Sequence, residues 1–120
     1  MNRDLLFLND MVKACDKVAA YISDGHDSFI ADEKTQDAVI RNIEVIGEAS
    51  KQLSKELKES MPDEPWRQIG GMRDKLIHHY FGVNIERVWQ TASEVLPPFR
   101  VKIVDRLERL RETSDDLPNP

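Results

Sequence analysis

The chain has a single cysteine, Cys15. It can form no intramolecular disulfide, and the paired-cysteine zinc motifs are excluded. A lone thiol fits a reducing, cytoplasmic compartment. No apolar run approaches the roughly 20 residues that span a bilayer. The opening residues, Met1 to Asp10, hold a short apolar patch but no signal-peptide core. No stretch alternates apolar and polar residues as a half-buried strand does, and no internal repeat is present. A phosphate-cradling glycine loop, a dinucleotide fingerprint and a nucleophile elbow are all missing. Positive charge is short as well. Seventeen Lys and Arg face 22 Asp and Glu, for a net charge of −5. That excludes a generic nucleic-acid coat protein, which would be basic throughout. It leaves room for a local positive site on an acidic body.

What is present is helical pattern. The 120 residues suit one domain, and 40% hydrophobic with 32% charged residues suits a folded chain rather than a disordered one. A core of this size is modest, so further burial in a dimer is expected. Leu5, Leu8, Val12, Cys15, Ala19 and Ile22 step by threes and fours along a first helix, which Ser23-Asp24-Gly25 should end. Asp32 offers an N-cap for a second helix striped with Val39, Ile43, Ile46, Leu53 and Leu57. Gly47 in its middle suggests close approach by a neighbouring helix. Pro65 suits the start of a third helix carrying Trp66, Ile69, Met72, Leu76 and Ile77. Asn84 should cap a fourth with Ile85, Val88, Trp89, Ala92 and Leu96. Pro97-Pro98 predicts a kink or a new start before a last helix through Phe99, Ile103, Leu107 and Leu110. The expectation is an all-α up-and-down bundle of four or five helices over residues 1–113, with a frayed polar tail over 114–120.

Residues 73–80, Arg-Asp-Lys-Leu-Ile-His-His-Tyr, concentrate the chemistry. Arg73 can grip a phosphate with a fork of donors. His78 can move a proton near neutral pH. Tyr80 offers a hydroxyl that donates, accepts or is modified. These are tools for a phosphodiester: His78 as general base or acid, Arg73 on the scissile phosphate, Tyr80 orienting. If a 2′-hydroxyl is the nucleophile, no metal is needed. The spacing poses a problem. At about 100° per residue, Arg73 and His78 lie about 140° apart on an ideal helix. Convergence needs the helix to unwind near His78, or a second chain to complete the site. Each residue also has an ordinary reading: a solvated or Asp74-paired arginine, a structural histidine, a tyrosine packed with its hydroxyl at the rim. Asp74 and His78 share a face at i and i+4, but two ligands do not make a zinc site. His26, in a polar turn beside Asp27, reads as solvated.

The surroundings of this stretch resemble a known family. Arg73-(four residues)-His78-His79-Tyr80 matches the R-x4-H-x-Y signature of HepT-like toxins within the HEPN superfamily. Arg41 to Ala49, Pro65 to Arg73 and Tyr80 to Trp89 are similar to the segments around it. The resemblance implies an all-α bundle that dimerises with its R-x4-H motifs in a shared cleft, acting as a metal-independent ribonuclease on tRNA or mRNA. Arg73, His78 and Tyr80 would be catalytic, with Asp74 and His79 supporting. It also implies a toxin of a type VII-like two-gene module, whose MNT-type nucleotidyltransferase partner transfers AMP to Tyr80. Added adenylate puts bulk and negative charge where substrate phosphate should bind. A higher assembly with that partner, no cofactor and no membrane contact complete the expectation. Asp74 stands where close relatives commonly carry asparagine, and it can pair with Arg73. The alternatives left open are a catalytically inactive module that binds nucleotide, RNA or a partner, and a helical scaffold whose polar stretch is an interface.

Overall fold

The computed structural model describes the backbone of residues 3–78 and 83–116, and their side chains except those of 73–78 and 114–116. Among the described residues there is no strand, and the expected all-α bundle is what forms. Four long helical stretches make its body: α1 (Arg3–Tyr21), α3 (Glu33–Gln52), α5 (Trp66–His78) and α7 (Leu96–Asp116). Short helices join them: α2 (His26–Ala31), α4 (Lys55–Ser60) and α6 (Ile85–Gln90). α3 packs against α1 and α5, while α1 also packs against α7. The Trp66 ring meets Phe99 edge-on at 5.5 Å, tying α5 to α7.

The core follows the apolar stripes. Leu8, Met11, Cys15 and Val18 of α1 are buried, as are Val39, Ile43 and Ile46 of α3 and Phe99, Ile103 and Leu107 of α7. On α1 the buried line runs through Met11 and Val18, whereas Val12 is half-buried and Ala19 exposed. The expected second helix is two. α3 stops at Gln52, and Ser54 caps α4 by accepting the Leu57 N–H at 3.1 Å. Asp4 fixes this break from across the bundle, accepting the Ser54 N–H at 2.7 Å and its hydroxyl at 2.6 Å. Leu53 and Leu57 remain buried, so the stripe continues although the helix does not. Gly47 is buried, in keeping with its small size.

Two turns obey their local chemistry. Gly25, at φ +93°, takes the left-handed conformation between α1 and α2 that side-chain-bearing residues avoid. Asp32 caps α3, accepting from the Lys34 N–H at 3.1 Å and the Thr35 hydroxyl at 2.6 Å. These bonds hold its carboxyl below the usual range.

At Pro97-Pro98 the expected new start is what forms: α7 begins at Leu96, directly before the two prolines. α6 and α7 are joined by a π-helical turn, Thr91–Val95, in which Leu96 N–H reaches back five residues to Thr91 O. Two prolines without N–H groups cannot continue the α ladder behind them. The widened turn lets the chain run on, and Ser93 Oγ donates to Trp89 O at 2.8 Å within it. α7 extends to Asp116, so the first three residues of the expected tail are helical and 117–120 lie outside the described residues.

Candidate active site

The helix that carries the signature is anchored at its start. Ile69 N–H donates to Pro65 O at 2.9 Å, opening α5. The Trp66 indole N–H donates to Met61 O at 2.9 Å, and Ile69 is fully buried. Gly70 faces α3: a Cβ there would lie 3.6 Å from Lys51 Cε and 3.7 Å from Ser50 Oγ, ordinary contact distances. Gly71 faces open space, with nothing within 4 Å.

Beyond these glycines the backbone stays helical through His78. This bears on the geometry foreseen above. An unwinding before His78 is not what α5 does, so the Arg73 and His78 positions keep their separation of about 140° around the axis. The side chains of Arg73, Asp74 and His78, and all of His79 and Tyr80, lie outside the described residues.

On the far side of the signature the chain is anchored again. Asn84 Oδ1 accepts the Arg87 N–H at 3.2 Å, capping α6 as its sequence position predicts. Val88 is buried beneath it. Sequence reasoning missed the neighbour of this cap. His26 is exposed and lies beside Asp27, as expected, but it also has a distant partner: Nε2 lies 2.9 Å from both Glu86 oxygens, and Nδ1 lies 3.3 Å from Asp27 Oδ1. Its ring meets Trp89 edge-on at 5.3 Å. The bonds to Glu86 and then to Asp27 raise its pKa above the ordinary value. Sixty residues separate the pair, so no spacing rule could have found it.

Other titratable groups do different work. Burial pushes the Cys15 thiol up to about 12, with Asp16 adding to the effect. That removes it as a nucleophile. Among the described residues no group of three His, Cys, Asp or Glu could hold a metal ion. A groove of about 270 Å³ runs between α1 and α3, lined by Phe7, Asp10, Arg41, Glu44, Val45, Glu48 and Ala49. Among the described residues no helix is long and apolar enough to cross a membrane.

Residues 11–105 match the model of a family described as HepT-like, ribonuclease HepT-like. The chain belongs to the HepT-like ribonuclease family. The matched span encloses the Arg73–Tyr80 signature and both of its anchors. A "Probable ribonuclease HepT" of Thermococcus cleftensis is 40% identical over 107 residues, covering 88% of this chain and 94% of that protein. A protein of Methanocaldococcus jannaschii described as "Putative RNase" is 42% identical over 92 residues, 76% of each chain. Another with that description, from Caldanaerobacter subterraneus, is 41% identical over 83 residues, covering 69% of this chain and 74% of its own. No solved structure matches.

Proposed function

We propose that this HepT-like protein is a metal-independent endoribonuclease that cleaves tRNA or mRNA, with residues 1–113 as its single domain and two copies sharing one cleft. The carrying observation is the complete Arg73-x4-His78-x-Tyr80 signature inside a family match that spans residues 11–105. His78 takes the proton from an RNA 2′-hydroxyl. The 2′-oxygen bonds to phosphorus, the bond to the 5′-oxygen breaks, and that oxygen leaves with a proton. The products are a 2′,3′-cyclic phosphate and a 5′-hydroxyl. Arg73 holds the phosphate and stabilises its developing charge. Tyr80 orients phosphate or imidazole, with Asp74 and His79 in support. Because the nucleophile belongs to the substrate, DNA is not cut.

The same reading places the protein in the cytoplasm as the toxin half of a two-gene toxin–antitoxin module. Its partner is an MNT-type nucleotidyltransferase that transfers AMP to Tyr80, and the two can form a larger assembly. Adenylate at that position opposes substrate phosphate by charge and bulk.

The test is cleavage of tRNA and mRNA by purified protein in EDTA. Wild type should cut and leave cyclic phosphate ends. His78→Ala should lose activity by roughly 10²- to 10⁴-fold, the scale of general acid–base catalysis. Absence of cutting by wild type, indistinguishable from His78→Ala, replaces this reading with a partner- or nucleotide-binding module. Co-expression with the nucleotidyltransferase should add one adenylate mass to the peptide containing Tyr80. Its appearance on another residue refutes that assignment.

A further inference from the structure

We propose that His26 and Glu86 form a clasp that positions the chain leaving the Arg73–Tyr80 signature, which makes His26 a positioning residue for the reaction. As a role in catalysis, this rests on the ribonuclease reading above.

The clasp joins two short helices that carry little burial of their own. α2 buries Phe29, and α6 buries Val88. The imidazole spans the gap, with Nε2 at 2.9 Å from both oxygens of Glu86 in the first turn of α6. Trp89, one turn further along α6, packs on both the His26 ring and the Phe29 ring, at 5.3 and 5.5 Å. On the α2 side, Gly25 at φ +93° sets the entry, and its carbonyl accepts the Phe29 N–H at 3.1 Å. Gln36 of α3 donates to the carbonyls of Phe29 and Ile30 at 3.0 Å and steadies the other end. The clasp therefore stands on α3, the helix that also packs against α5. Six residues after Tyr80, the chain is pinned to the same support that holds the signature helix.

Proton chemistry follows from the arrangement. The charged groups meeting the ring are Glu86 from α6 and Asp27 from its own helix. The side-chain hydrogen bonds that α3 gives to α2 come from the neutral Gln36. A neutral imidazole has one N–H and can satisfy one of the two carboxylates. The imidazolium has two and satisfies both. The clasp is complete below the ordinary histidine pKa and weakens as pH rises through the raised value that Glu86 and Asp27 impose. These three side chains are not a metal site, because the ring separates the carboxylates by turning a different nitrogen to each.

The experiment uses full-length wild type, His26→Gln and Glu86→Gln. Amide exchange followed by mass spectrometry should be roughly several-fold faster in peptides covering residues 83–90 of both variants, and unchanged in α7. NMR titration should show His26 above its ordinary pKa in wild type and lowered in Glu86→Gln. RNA cleavage by either variant should lose kcat on the order of tenfold with little change in KM, as expected when a reacting group is misplaced rather than removed. In His26→Gln, the pH profile should lose the limb that His26 contributes. Unchanged exchange in both variants overturns the clasp, whatever happens to RNA. Faster exchange with wild-type kcat overturns its part in catalysis. A wild type that cuts nothing removes the ribonuclease reading, and the clasp then stands or falls on exchange alone.

Discussion

Cys15 shows how one residue is read differently by pattern and by environment. Its place in the α1 stripe was legible from spacing, and it is 3% exposed. What spacing could not tell was which of two adjacent apolar lines would be buried. Met11 and Val12 are neighbours, as are Val18 and Ala19, so both lines step by threes and fours equally well. Packing against α3 and α7 chose Met11 and Val18. Burial has a chemical consequence for the thiol. With its pKa pushed up to about 12, Cys15 holds almost no thiolate at neutral pH. A thiol reagent such as iodoacetamide should leave the folded protein unlabelled at pH 7.5 and modify one site once denaturant is added. Rapid labelling of native protein would show that α1 is not packed as described. Ile103, fully buried on α7, gives the matching energetic test. Ile103→Ala should cost about 2–5 kcal/mol in a urea melt, through lost transfer energy and the cavity left behind.

Elements with strong signals were legible, and short ones were not. Asn84 announces α6 as a capping side chain, and Asp32 announces α3. α2 and α4 have six residues each, too few to display a period. The break at Leu53 depends on Asp4, some fifty residues away, and tertiary anchors of that kind are invisible in a local window. The widened turn before Pro97 is a third case. The prolines declared a new start, and α7 does begin beside them at Leu96, but the π-helical turn that leads into it has no local signature. For α5 the useful element-scale question is why two glycines sit inside a helix. Each costs roughly 1 kcal/mol against alanine. Gly71 has nothing within 4 Å that an added methyl would strike. Gly71→Ala should therefore stabilise the fold by about 0.5–1 kcal/mol in thermal or urea unfolding. If RNA backbone approaches that bare face, the same variant should raise KM for RNA while the protein becomes more stable. Gains in stability with unchanged KM would place the substrate elsewhere.

At the scale of the whole molecule, the limits of the sequence are clearest at the site. The signature was legible as chemistry, and the helix that carries positions 73–78 was legible as pattern. How its members would meet was not, because a helical period fixes their directions within one chain and says nothing of the surfaces a second copy would bring. A backbone that stays helical through His78 leaves Arg73 and His78 on different faces, about 140° apart. Within one copy, a phosphate gripped by one is poorly placed for the other. Two copies related by a two-fold axis remove the difficulty, since each can supply what the other turns away. The net charge of −5 adds a constraint, because two acidic bodies repel and need apolar or paired contacts to associate. Added salt should therefore tighten the dimer while weakening RNA binding, a pair of opposite trends. Sedimentation should give twice the 13.9 kDa chain mass at micromolar concentration. The decisive measurement is mixing. When equal amounts of His78→Ala and Arg73→Ala chains equilibrate, about half of the dimers are mixed, and each mixed dimer holds one intact pair, His78 of one copy with Arg73 of the other. Two inactive preparations should then recover about a quarter of the wild-type activity. A monomeric catalyst would stay inactive at every ratio, and the shared cleft would have to be abandoned.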